Sequence, residues 1–266
     1  MTVQTSTAQL ADRALISVSG ETWRDFLQGL ISQDVETLAP GEARFGALLT
    51  PQGRLLFDLF VIGRDDGCWI DVAAAQRPAL TQRLMMYRLR AKVAIAPDEA
   101  PVWAAWGPES PGPGWIADPR LPALGWRGYG LETTATADET AYEAHRLALG
   151  VPGPEDWGAD KTYPIEADFD LLNGIDFKKG CFVGQETTSR MKRRGVIKTR
   201  MLPLSFEGPA PASGAEVLAG ELRAGEVLAG AHGRAMALLR LDRIGGPLTV
   251  DGRPVQVERP DWMADA

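Results

Sequence analysis

The residues best suited to chemistry lie in one run, Lys178–Gly195, which reads KKGCFVGQETTSRMKRRG. Cys181 lies between Gly180 and Gly184, whose missing Cβ permits a tight backbone path with positive φ. Gln185 to Arg193 has the composition of a short helix, and Gly195 stands just beyond it as a stop. Glu186 then lies near the positive end of the helix dipole, and Arg190, Lys192 and Arg193 lie near the negative end. A thiol just ahead of such a helix, near unpaired backbone N–H groups and near Lys178 and Lys179, is expected to favour its thiolate. The alternative for a lone cysteine is a small buried hydrophobe. The alternative for the basic run is a solvated helix end. Cys68, within Gly67-Cys68-Trp69-Ile70, lacks this context and reads as structural.

Other polar residues offer less. His145 and His232 are far apart and show no ligand spacing. Asp65-Asp66, and Asp168 with Asp170, read as turn or surface carboxylates rather than an acid–base pair. The tryptophans read as core or pocket walls. From Arg190 to Arg200 there are Lys and Arg residues but no acid, on a chain of net charge -7. That combination suits a local anion site on an acidic protein and argues against direct nucleic-acid binding.

The elements that must hold this run are legible in outline. Trp23, Phe26, Leu27, Leu30 and Ile31 recur at helical spacing, with Thr22 or Ser19 as cap. Phe45–Leu49, the turn Thr50-Pro51-Gln52-Gly53 and Leu55–Ile62 form a strand–turn–strand pattern. Asp65-Asp66-Gly67 turns into a strand from Cys68 to Val72. A helix follows over Ala79–Leu89, with Leu80, Leu84 and Tyr87 or Met85 inward, and Val93–Ile95 closes the unit. Gly107–Gly114 is a Pro/Gly break, and Thr140–Leu149 is a helix ended by Gly150. Beyond Met201, short apolar runs separated by turn residues predict a small β-barrel. The repeated EVLAG at Glu216–Gly220 and Glu226–Gly230 fits two strands around a hairpin.

The chain has 266 residues, 45% of them hydrophobic, enough for a substantial core. No apolar run has the length of a membrane span. The polar stretch Met1–Leu10 resembles neither a secretory signal nor an Arg-rich transit peptide. Two cysteines make a poor disulfide framework and fit a reducing compartment. A cytoplasmic, monomeric protein is expected.

Lys179-Gly180-Cys181-Phe182-Val183-Gly184-Gln185-Glu186 resembles the K-G-C-[FY]-x-G-Q-E signature of the YgfZ-type branch of the folate-binding, glycine-cleavage T-protein-like family. Phe26–Leu30 with Gln33-Asp34-Val35, Pro51-Gln52-Gly53-Arg54 with Asp58, Asp118-Pro119-Arg120, Gly125-Trp126-Arg127, and Tyr142, Arg146, Gly150 and Pro152 follow in that family's order. Pro164-Ile165-Glu166 and Phe177 then lead into the signature. The resemblance implies an α+β fold, a ring of two units with mostly antiparallel sheets and a small C-terminal β-barrel around a channel that binds tetrahydrofolate. The units are expected at 1–106, 107–200 (with interleaving allowed) and 201–266.

It also implies an accessory factor for assembly, maturation or repair of iron–sulfur proteins, among them radical enzymes that modify tRNA. Its partners would be folate and iron–sulfur client or carrier proteins. The alternative is an aminomethyltransferase of the glycine cleavage system, which shares the fold but lacks the signature. Expected site residues are Cys181, with Glu166 at a pterin edge. Lys179, Gly180, Gly184, Gln185, Glu186, Arg190, Lys192 and Arg193 surround the folate, and the cations of α-helical 190–194 face its carboxylates. Cys181 alone cannot hold a cluster, which takes about four ligands. A metal role would be transient or shared.

Overall fold

The computed structural model describes residues 4–195, 197–231 and 233–264. In chain order its elements are β1 (Ser6–Gln9), β2 (Arg13–Ser19), α1 (Trp23–Gln28), β3 (Ala43–Leu49), β4 (Leu55–Arg64), β5 (Gly67–Ala73) and α2 (Arg77–Arg88). Next come β6 (Ala94–Asp98), β7 (Val102–Trp106), β8 (Trp115–Ala117), β9 (Trp126–Tyr129), α3 (Glu139–Ala148) and α4 (Gln185–Arg194). Then follow β10 (Thr199–Phe206), β11 (Glu216–Ala219), β12 (Leu222–Ala231), β13 (Arg234–Arg240), β14 (Leu248–Val250) and β15 (Arg253–Val257).

Three β-assemblies result, all antiparallel. The first is a five-stranded sheet in the order β3-β4-β5-β2-β6. Its central strands are largely apolar on both faces, apart from Asp58, Asp71 and Arg13 on one side, because both faces are covered. On β4, Phe57, Leu59 and Val61 pack into the cluster under α1 and α2, whereas Phe60 and Ile62 face a second cluster. The period of two therefore sends Asp58 to the same side as Phe60. Phe60 pairs in register with Asp71 of β5, and Asp71 with Leu15 of β2, so Arg13 shares that side too.

The second sheet has the order β1-β7-β9-β8. β1 pairs with β7, Ser6 opposite Trp106, and β7, still within the first 106 residues, pairs with β9 beyond them, Ala104 opposite Arg127. A border at 106 therefore cuts through a sheet, and the two α+β units interleave. The third assembly is a closed barrel, β10-β13-β12-β11-β14-β15, shut where β15 returns to β10. The repeated segments lie on neighbouring strands with Glu216 opposite Glu226, and Arg223 offsets the like charges by bonding both.

Helix ends differ from the sequence pattern in instructive ways. α1 stops at Gln28, since the amides of Leu30 and Ile31 both turn back to the Leu27 carbonyl. Neither Thr22 nor Ser19 caps it. The Thr22 hydroxyl instead accepts the Lys92 N–H at 3.0 Å. α3 starts at Glu139 because the Asp138 carboxylate accepts the Ala141 N–H at 2.8 Å. On α2, Leu80 and Leu84 are buried, but Met85 turns outward.

The largest apolar cluster joins all three assemblies. Phe45 and Phe60 of the first sheet, Val102 and Ala104 of the second, and Met201 and Met236 of the barrel meet there. The segment 157–182 threads through it, with Phe169 stacked on Phe45 at 4.7 Å between centroids. That segment delivers the signature loop to the first sheet.

Candidate functional site

The loop ahead of α4 is tied down by backbone groups. The Asp176 carboxylate accepts N–H bonds from Lys178 (2.7 Å) and Lys179 (3.2 Å). The Lys179 ammonium then reaches across and donates to the carbonyls of Gln28, Ile31 and Gln33, each at 2.8 Å. All three of its N–H donors are used. Burial pulls this ammonium down to about 8, against Asp34, Asp176 and Glu36, so it stays charged at neutral pH. Lys179 is thus a fastener between the loop and the end of α1, with its ammonium committed to backbone carbonyls. Replacing Lys179 with methionine is expected to cost about 2–4 kcal/mol, because three carbonyls lose a charged donor. Urea denaturation would measure the cost, and limited proteolysis between 176 and 184 would show the freed loop.

Gly184 has φ 81. A Cβ there would stand 2.5 Å from the Thr50 carbonyl oxygen and 3.0 Å from the Gly53 Cα. The start of α4 therefore rests backbone to backbone on the turn between β3 and β4. Gly180 is different: its φ is not left-handed, and a Cβ there would meet nothing within 4 Å. Of the two bracketing glycines, only Gly184 is required by the geometry.

Cys181 is exposed and Cys68 is buried, with burial pushing the Cys68 thiol well above its ordinary range. The wall of an open groove of about 930 Å³ begins at the next residue, Phe182. Gly184, Gln185, Glu186, Lys192 and Arg193 share that groove with Phe177, Val183, Tyr87 and Pro51, and Arg190 is not among them.

Glu166 does not reach this groove. Its carboxylate accepts from the Thr199 hydroxyl at 2.5 Å and from the Tyr163 N–H at 3.0 Å, which ties the 157–182 segment to β10. Glu166, expected at a pterin edge, lines neither this groove nor the cavity described below, and each of its oxygens already holds one donor. Asp168 and Asp170 are not surface carboxylates either. Their buried side chains hold Arg200, at 2.7 and 3.0 Å, which removes Arg200 from the exposed basic run. His145 bonds the Ala123 carbonyl through Nε2 at 3.0 Å, and His232 lies outside the described residues.

A separate cavity of about 360 Å³ lies where the two sheets and the barrel meet, walled by β2, β4, α3, 152–156 and 229–231. It shares no lining residue with the groove, so the basic helix stands outside it. Its floor is a chain of buried ions: Asp58–Arg13 (3.1 Å), Arg13–Asp71 (2.6 Å), Asp71–Arg127 (2.9 Å), Arg127–Asp118 (3.0 Å) and Asp118–Arg120 (2.8 Å). Burial alone would raise the Asp118 carboxyl, but Arg120 and Arg127 hold it well below the usual carboxylate range.

On the opposite wall, Arg146 meets Glu143, Glu155 and Asp156. Burial pushes Asp156 up to about 7 despite Arg146. Two buried oxygens in this lining have no partner, Asp58 Oδ1 and Asp156 Oδ1. A buried carboxylate oxygen without a donor is costly, so this cavity suits a ligand that presents N–H or O–H groups. Asp58, Asp118, Arg120, Arg127 and Arg146 entered the sequence reading only as parts of the family pattern, without a site role. The available signal was a charge inside an apolar strand: Asp58 in LLFDLFVI and Asp71 in CWIDVA.

A solved glycine cleavage system aminomethyltransferase T from Bartonella henselae superposes with TM-score 0.77, covering 98% of this chain and 87% of that one at 17% identity. At that identity the likeness speaks for the fold alone. Residues 198–265 match the C-terminal β-barrel domain of CAF17. The mitochondrial iron–sulfur cluster assembly factor IBA57 of Homo sapiens is 31% identical over 299 aligned positions, spanning 96% of this chain and 84% of that protein. The chain belongs to the IBA57 family of iron–sulfur cluster assembly factors.

The Neurospora crassa homologue is 32% identical, but this chain spans only 54% of its length. These relatives carry the IBA57 name rather than that of the YgfZ-type branch, so the coarser resemblance to the glycine-cleavage T-protein-like fold is the one that stands. They are also named as mitochondrial proteins, which overturns the expectation of a cytoplasmic location.

Proposed function

We propose that this protein is an accessory factor for the assembly, maturation or repair of iron–sulfur proteins, with Cys181 as the group that meets the cluster or its carrier. The observation that carries the reading is an exposed thiol on a loop fastened by Lys179 and seated on the β3–β4 turn. A thiolate is a soft ligand suited to iron–sulfur clusters. One cysteine leaves most ligand positions to be supplied by another protein, so the cluster is cargo handled with a partner. The test is complementation: in cells lacking their own copy, the chain is expected to restore a [4Fe–4S] dehydratase while a cluster-free dehydrogenase stays unchanged. No restoration at normal protein abundance would refute the reading.

We propose further that the central cavity takes a reduced folate. A pterin edge presents ring N–H and amino donors beside a carbonyl acceptor; Asp58 Oδ1 offers an acceptor without a donor, and Asp156, pushed up to about 7, can accept or donate. When bound, folate would supply a carrier for one-carbon units. Tetrahydrofolate at a hundredfold excess over its Kd is expected to add about 2.7 kcal/mol, a rise in Tm of roughly 5–10 °C at this size. Asp58→Asn, which exchanges one acceptor for a donor, is expected to reduce the rise. An unchanged melting curve would remove folate from the account. Formation of methylene-tetrahydrofolate from aminomethylated carrier protein would favour an aminomethyltransferase instead.

A further inference from the structure

We infer that the end of α2 and the groove beside the signature form a docking face for an acidic protein, which anchors an apolar side chain there and covers Cys181. The inference rests on the reading of the chain as a cluster assembly factor.

Large exposed apolar side chains are few among the described residues: Met85 (44% exposed), Met86 (62%), Leu89 (88%) and Leu222 (61%). Three of these four sit on the last turn of α2 and the residue beyond it. The fold gives them no partner, since the inward face of α2 is made by Leu80 and Leu84. Leu89 also holds φ 37. A non-glycine residue in a sparsely populated backbone region costs of order 1–3 kcal/mol, and at this position its side chain adds to neither core. Clustered exposed apolar groups of this kind mark interaction sites.

The patch continues into a concavity. Tyr87, on the same helix turn, walls the groove with Phe177 and Phe182, and Phe182 directly follows the exposed Cys181. A partner whose anchor fills this groove lies beside the thiol.

Charge names the partner's chemistry. Arg88 and Arg90 flank the apolar patch, and Arg193 lines the groove; all three are exposed, and none makes a salt bridge among the described residues. These cations stand on a chain of net charge -7. A local basic rim around an apolar centre complements an acidic surface with a protruding apolar residue. The concave shape, and Glu186 within the lining, favour a protein over a flat anionic bilayer.

The probe is a fluorescent helical peptide of about five turns, with leucine and phenylalanine on one face and glutamate on the other. It is titrated against the full chain beside a lysine-for-glutamate counterpart and phosphatidylglycerol vesicles. The acidic peptide is expected to bind and to slow alkylation of Cys181 by iodoacetamide. Met86→Asp with Leu89→Asp, both at exposed positions, is expected to weaken binding by about tenfold or more with little change in stability. Equal affinity for the double variant, preference for the lysine peptide, or binding to vesicles in place of the acidic peptide would overturn the inference.

In complemented cells, the double variant is expected to lose iron–sulfur enzyme activity as Cys181→Ala does. If Cys181→Ala abolishes activity and the double variant does not, the docking face fails and the assembly reading survives. If neither substitution matters, both fail.

Discussion

Replacing Arg127 with leucine is expected to destabilise the fold by about 3–5 kcal/mol, the cost of breaking a buried ion network by removing one partner. Arg127 bonds Asp71 and Asp118, its guanidinium lies 3.8 Å from the Phe60 ring centroid, and its side chain is 4% exposed. Asp58, Asp71 and Asp118 stand against Arg13, Arg120 and Arg127, so the loss leaves an excess of buried negative charge. Asp118 would then rise from its depressed position.

The sign with pH follows. A carboxylate held below its ordinary range contributes stability at neutral pH, and loses that contribution as pH falls through its folded pKa. The gap between wild type and Arg127→Leu is therefore expected to narrow below the usual carboxylate range. Urea denaturation at neutral and acid pH would measure both. Arg223→Leu, at an exposed pair on the barrel, is expected to cost under about 1 kcal/mol. A similarly small cost at Arg127 would show that the cavity floor is screened by solvent and does not hold the two sheets together.

Cys181→Ala is expected to abolish function and leave the fold intact. The side chain is exposed, and surface substitutions away from special features change stability by about 0.5 kcal/mol or less. In cells without their own copy, the variant is expected to match the empty vector in iron–sulfur enzyme activity at undiminished abundance. Cys181→Ser is expected to fail as well, since a hydroxyl keeps the shape and lacks the soft ligand. Brief iodoacetamide treatment of the native protein is expected to label Cys181 and spare the buried Cys68. Labelling of both would contradict the packing of the first sheet.

The signature, α4 with its stop at Gly195, the β3–β4 turn and the barrel were legible because each is written locally, as glycine positions, helical charge order and alternating apolar runs. The site was less so. Lys179 and Cys181 are two residues apart, yet one side chain is consumed by carbonyls of residues 28–33 and the other is free in solvent. Nothing local says which lysine will find three acceptors far along the chain. Asp168 and Asp170 look like surface acids until Arg200, on a barrel strand, buries them.

Likewise, the cavity floor is built across five segments; Asp58, Asp118, Arg120 and Arg127 were visible as parts of the family pattern and Asp71 as a charge in an apolar strand, but nothing local showed that they meet. Sheet membership was hidden for the same reason, since β1 pairs with β7 and the chain between them forms the other sheet.

The central claim is that one solvent-facing sulfur, held in place by backbone contacts, serves iron–sulfur cluster formation. Radioactive iron incorporated into an immunoprecipitated [4Fe–4S] enzyme, from cells carrying either wild-type chain or Cys181→Ala, tests it most directly. Normal incorporation is expected with the wild type and background with the variant. Equal incorporation in both would contradict it.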